Sequence, residues 1–142
     1  MSVAKNARSA PCGKPEARTR LSQAEKFLEV AELVESEALA GLEPASASVA
    51  AALAVLAGIA ASDAACCAKL GMRSRGDDHQ QAQAFLKQIT SGGAKAASHL
   101  SELISKKDTA HYGVINISQT ELKKLMRRAQ FMVEFAKTAV ES

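Results

Sequence analysis

The sequence predicts an all-α fold, a single antiparallel bundle of about five helices, and three observations predict it. Alanine fills 29 of 142 positions, whereas the chain holds four Phe, one Tyr and no Trp. Eight Gly and three Pro are too few for the closely spaced turns of a β-sandwich. Two capping boxes, Ser22 with Glu25 and Ser118 with Glu121, each open a run of apolar residues at helical spacing. A chain of this length is one domain that buries its own core.

The elements follow in order. Residues 1–20 mix Ser, Pro, Gly, Ala and basic residues without periodicity and read as a disordered arm. Residues 21–142 form the bundle. The first helix starts at the Ser22 box, with Leu21 as its staple, and turns Ala24, Phe27, Leu28, Ala31, Val34 and Ala38 inward before Gly41 stops it. The second, capped by Ser46 or Ser48, runs to Leu70 and is apolar on nearly every face, which places it at the bundle centre. Asp63 lies inside that run and needs a partner charge or a polar rim. A third helix from Asp78 to Thr90 opens behind Asp77, and Gly92-Gly93 separates it from a fourth, Ala94 to Ser105. The fifth follows Ser118 with the stripe Leu122, Leu125, Met126, Ala129, Met132, Val133, Ala136 and Val140.

Charge is unevenly placed. The net +3 of the chain resolves into +4 over residues 1–20 and −1 over the rest, so the basic character belongs to the arm, either solvated or touching nucleic acid. Cys12, Cys66 and Cys67 give no C-x-x-C motif and no disulfide framework. Neighbouring cysteines on a helix point about 100° apart and pair with difficulty. Reduced thiols in a cytoplasmic protein fit this pattern, with Cys66 and Cys67 as core packing. No signal peptide is readable, and the longest apolar stretch, residues 49–61, is too short and alanine-rich for a membrane span.

The sequence carries no H-E-x-x-H, no Walker A loop, no G-x-G-x-x-G, no G-x-S-x-G and no paired E-x-x-H, so no metal centre and no cofactor are implied. His99 reads as a surface histidine. The basic flank Lys123, Lys124, Arg127 and Arg128 is a solvated face or a track for a phosphate backbone. If every helix reverses direction, the second-to-third and fourth-to-fifth connections share one end of the bundle. Arg73, Arg75 and His79 then meet Lys106, Lys107, Asp108, His111 and Tyr112 on one rim, where cations hold a phosphate and a histidine moves a proton.

Several of these pieces, in their order, resemble the HEPN family of small helical bundles. They are the Ala24–Phe27–Leu28–Ala31 helix, the run Ala57-Gly58-Ile59-Ala60-Ala61-Ser62-Asp63-Ala64, Arg75-Gly76-Asp77-Asp78-His79, and Lys107-Asp108-Thr109-Ala110-His111-Tyr112-Gly113. The resemblance spans Leu21 to about Val140. It implies a helical bundle, in many members a metal-independent ribonuclease with an Arg four to six residues before a His, often paired with a nucleotidyltransferase in a toxin–antitoxin module. Another branch carries Arg-Asn-x-Ala-Asp-Tyr, matched here only at Ala110 and Tyr112. Lys106 to His111 mimics the ribonuclease spacing with lysine in place of arginine, and lysine lacks the planar fork that clamps a phosphate. Arg73 to His79 also has an allowed spacing, before the third helix.

The leading expectation is a non-catalytic or weakly active HEPN-like homodimer, with helices 2 and 5 at the interface. It binds RNA, a nucleotide or a nucleotidyltransferase-type partner at Arg73, Arg75, His79, Asp108 and Tyr112. The runner-up is a metal-independent endoribonuclease using Lys106 or Lys107 with His111; the third reading is a structural adaptor. No membrane association is expected.

Overall fold

A computed structural model of the chain describes residues 9–41, 45–75, 78–107 and 117–142. Among them five helices form the predicted all-α bundle: α1 (Lys14–Leu39), α2 (Ala45–Leu70), α3 (His79–Lys87), α4 (Gly93–Ser105) and α5 (Gln119–Glu141). Two short strands, β1 (Ser9–Pro11) and β2 (Met72–Ser74), join as an antiparallel ribbon.

The first correction concerns the arm. Ser9–Pro11 form a strand, and α1 starts at Lys14 rather than at the Ser22 box. Gly13 is its N-cap, Pro15 lies in its first turn, and the Gly13 amide donates to the Glu16 carboxylate at 2.8 Å. That bond holds the Glu16 carboxyl below its ordinary range. Ala17 and Leu21 continue the buried stripe of Ala24, Ala31 and Ala38, so the packing face extends past the residues where the box suggested a start.

A second correction concerns the thiols. Cys12 and Cys67 form a disulfide across 55 residues, with Cα atoms 5.2 Å apart, and Cys66 stays free and buried. With the arm taken as disordered, Cys12 had no expected place; the strand pairing delivers it to the last turns of α2. The ribbon sets Ala10 opposite Arg73 and Pro11 opposite Met72, and the Cys12 amide donates to the Gly71 carbonyl at 3.0 Å.

Helix α2 packs chiefly against α1 and α5 and also meets α3 and α4. Among the described residues it is the one helix long and apolar enough to cross a membrane, but 67% of its most apolar window is buried inside the bundle. Its alanines let neighbours come close. At Gly58 the approach is closest, since a Cβ there would lie 2.6 Å from Cδ1 of Leu103 on α4. Phe85, Leu86, Leu100, Leu103, Leu122, Met126 and Met132 fill the remaining core. The Ser118 cap forms as the sequence predicts, its hydroxyl accepting from the Glu121 amide at 3.1 Å.

The path of the chain departs from simple up-and-down order. Gly71, at φ +72°, ends α2, and β2 then leads the chain back along the helix it has left. His79, at the start of α3, therefore lines one cavity with Ile59 and Asp63, whereas Gln88 and Ile89 lie beside Lys69 and Leu70. So α3 runs in the same sense as α2, and α4 returns. The end of α5 sits at the finish of α2, where Lys69 bonds the Ser142 hydroxyl. The start of α5 sits at the finish of α1, where the Gln119 amide donates to the Ala38 carbonyl at 3.4 Å.

Candidate functional site

Asp63 finds its partner on α1. Nε and Nη2 of Arg20 both donate to Oδ2 of Asp63, at 3.0 and 2.9 Å, and Nη1 donates to Gln23 at 2.6 Å. Burial pushes the Asp63 carboxyl up, and the positive charges of Arg20 and then Arg73 oppose it. The sequence required a partner for this carboxylate, but Arg20 was assigned to the arm and so was missed as a site residue.

Around the pair opens a cleft of two adjoining cavities. One, of about 210 Å³, is walled by Ile59, Ala82 and Leu100 and edged by Ser62, Ser74, Asp78 and His79. The other, of about 490 Å³, opens outward past Pro15, Glu16 and Thr19. Arg20, Asp63 and Arg73 line both. Each carboxylate is already engaged: Glu16 with the Gly13 amide, Asp63 with Arg20, and Asp78 with the Gln81 amide at 3.0 Å as the N-cap of α3. The Ser74 hydroxyl donates to the Asp78 carbonyl at 2.8 Å, tying β2 to the start of α3. Arg73 differs from these groups. Among the described residues its guanidinium makes one hydrogen bond, 3.4 Å long, to the carbonyl of adjacent Ser74. A fork with five donors and one long contact is a cation held ready for an anion.

The structure brings together Arg73 and His79 in one cavity, leaves Arg75 exposed just beyond β2, and does not bring Lys106 to them. Lys106 lies at the other end of the bundle, its ammonium 3.2 Å from Glu121 in the first turn of α5. That hydrogen bond lowers the Glu121 carboxyl. Lys107 follows Lys106 at that end, and Asp108, His111 and Tyr112 fall outside the described residues. Lys106 follows Leu100, which walls the smaller cavity, by six residues along α4, about 9 Å at 1.5 Å per residue, and it lines neither cavity. Of the expected rim, Lys106 is paired with Glu121 and lines neither cavity of the cleft, because β2 turns the chain back along α2 where a direct entry into α3 was expected.

Other charged groups are engaged elsewhere. Arg128 grips both oxygens of Glu102 at 2.7 and 2.8 Å, which takes it out of the α5 basic flank. His99 packs against Phe131 with ring centres 4.6 Å apart and planes tilted by 54°, and burial lowers its imidazole. Burial pushes the Cys66 thiol up to about 12, which keeps it protonated and unreactive. Among the described residues no three His, Cys, Asp or Glu side chains converge as a metal site. A further cavity of about 330 Å³ lies at the bundle end between Leu70, Ile89 and Phe135, and its one cation, Lys69, is bonded to Ser142.

Fold and site together define an all-α bundle with an arginine-lined cleft over a buried ion pair. The chain matches no protein-family model and no curated protein.

Proposed function

We propose that the protein is a binding module of HEPN-like build that takes a phosphate-bearing ligand, an RNA segment or a nucleotide, into the Arg20–Arg73 cleft. Arg73 carries this reading: it lines both cavities, and its guanidinium has a single long hydrogen bond among the described residues. Arg20 contributes positive charge but is already committed to Asp63. Arg75, exposed at the end of β2, extends the basic edge outward. A phosphate accepting two parallel bonds from Arg73 matches the fork geometry of guanidinium. In a cytoplasmic stress or toxin–antitoxin-like setting, such a site would hold RNA or nucleotide beside a nucleotidyltransferase-type partner.

The test is binding of a fluorescein-labelled single-stranded oligoribonucleotide by anisotropy, with inorganic phosphate and a nucleoside monophosphate as competitors. Arg73→Glu should weaken binding at least tenfold, and Arg73→Ala should lower the salt-dependence slope by about one phosphate contact. Equal binding by the parent and Arg73→Glu would defeat the proposal.

One observation supports the ribonuclease as a second reading at this cleft. Arg73 and His79, five residues apart in between, line the same 210 Å³ cavity. In that case metal-free cleavage of RNA should vanish in His79→Ala and persist in His111→Ala. Loss in His111→Ala alone would return the chemistry to the Lys106–His111 register.

A further inference from the structure

We propose that the Cys12–Cys67 disulfide is a redox latch on the arginine cleft: closed, it seats β1 on β2 and fixes Arg73; opened by a dithiol, it lets β1 leave and Arg73 lose its place. The link to binding rests on the reading of the cleft as a phosphate site; the release of β1 does not.

The argument starts from the size of the ribbon. Each strand has three residues, and an isolated two-stranded ribbon is marginal even when longer. Something beyond the ladder must hold β1 in place, and the cross-link lies at its end, one residue past Pro11. The register sets Ala10 against Arg73, so the strand that the disulfide secures is the one paired with the cleft's available cation. Disulfide, strand pair and guanidinium form one short mechanical chain.

Access is one-sided. Cys12 is half-buried, whereas Cys67 is 2% exposed, so an incoming thiolate reaches the Cys12 sulfur. Attack there breaks the S–S bond, sends its electron pair to the Cys67 sulfur, which takes up a proton, and leaves a mixed disulfide on Cys12. The second thiol of the reductant then attacks its own sulfur in that mixed disulfide. Cys12 departs as a thiol and the reductant as a cyclic disulfide. Two electrons and two protons pass to the protein. Neighbouring Cys66 does not compete, since it is buried and protonated.

The experiment uses the full chain, oxidised and then reduced with dithiothreitol, alongside Cys12→Ser and Cys66→Ser. Thiol titration in denaturant should find one free thiol in the oxidised protein and three after reduction. Hydrogen exchange across residues 9–12 and 72–75 should rise at least tenfold on reduction, while circular dichroism keeps its helical signal. Affinity for the labelled oligoribonucleotide should fall at least fivefold. Cys12→Ser should match the reduced protein and ignore the reductant, and Cys66→Ser should keep the full response. Three free thiols in air-oxidised protein, or unchanged exchange on reduction, would overturn the latch. Faster exchange with unchanged affinity would overturn its control of the cleft. If oxidised protein binds neither oligoribonucleotide nor phosphate, the cleft reading fails, and the exchange data still decide the latch.

Discussion

Arg20 and Asp63 meet through a single carboxylate oxygen, two guanidinium donors converging on Oδ2 from a helix 43 residues earlier in the chain. The carboxylate side chain is 12% exposed and the guanidinium 29%, so the two partners do not contribute equally. Removing Arg20 strands a buried charge; neutralising Asp63 leaves a cation within reach of water.

Arg20→Ala should therefore cost about 3 kcal/mol at neutral pH, and Asp63→Asn about 1 kcal/mol, by urea unfolding. The pH dependence has a definite sign. The folded Asp63 carboxyl already lies above its ordinary 3.8, so its protonated form favours the fold at acid pH, a contribution lost as pH rises through the folded value. Without Arg20 that value climbs further. The stability gap between parent and Arg20→Ala should shrink from about pH 7 to about pH 4.5. A gap that widens on acidification would show that the pair does not set the stability of this helix junction.

The cross-link also raises stability, independently of its effect on the cleft. A loop closed between cysteines 55 positions apart removes about 4 kcal/mol of chain entropy from the unfolded ensemble in the simplest treatment. Reduction, or Cys12→Ser, should lower unfolding free energy by roughly 2–4 kcal/mol. Thermal midpoints of the oxidised and reduced protein, measured by calorimetry, check this.

Two glycines separate a tolerant turn from an intolerant one. A Cβ at Gly41 meets nothing within 4 Å, and only its φ of +71° resists a side chain. A Cβ at Gly93 would sit on the Leu86 carbonyl oxygen. Gly41→Ala should cost about 1 kcal/mol, while Gly93→Ala should cost about 3 kcal/mol and lower the thermal midpoint by roughly 10 °C.

The apolar faces of α2 and α5 are turned largely inward, against one another and their neighbours, so the expected homodimer would need another face. Val30 and Leu33 on α1 and Val49 on α2 are 37%, 64% and 48% exposed. The Ser46–Glu37 contact at 3.4 Å draws these two stretches alongside each other. Light scattering should give twice the 14.9 kDa chain mass at high concentration, with Leu33→Glu returning it to one chain. A single-chain mass for the parent throughout would exclude this surface as an interface.

The interiors of the helices were legible in sequence because each is written locally, in spacing and caps. The stripe from Leu122 to Val140 is buried residue for residue, and Ser118 caps as its neighbour Glu121 implies. What the sequence hid depends on pairing between distant segments. Ser9 to Pro11 has no periodicity and becomes a strand only because β2 lies opposite. Cys12 and Arg20 were illegible for the same reason, since their partners, Cys67 and Asp63, lie about 40 to 55 positions on. Asp63 itself advertised a missing cation. The placement of Arg73 beside His79, in a cavity that Lys106 does not line, turns on one short strand that reverses the chain.

The same bond that encloses residues 12–67 in a covalent ring alters how the molecule bears tension. A pull applied at the two chain ends passes through the Cys12–Cys67 bridge and bypasses α1 and most of α2, which stay slack inside the ring. Only the segments outside the ring, before Cys12 and beyond Cys67, can pay out. In the oxidised protein the extension released on forced unfolding is shorter by roughly 190 Å than in the reduced one, at about 3.5 Å for each enclosed residue. The helical hairpin that carries the Arg20–Asp63 pair is thus mechanically insulated from whatever the ends are tethered to.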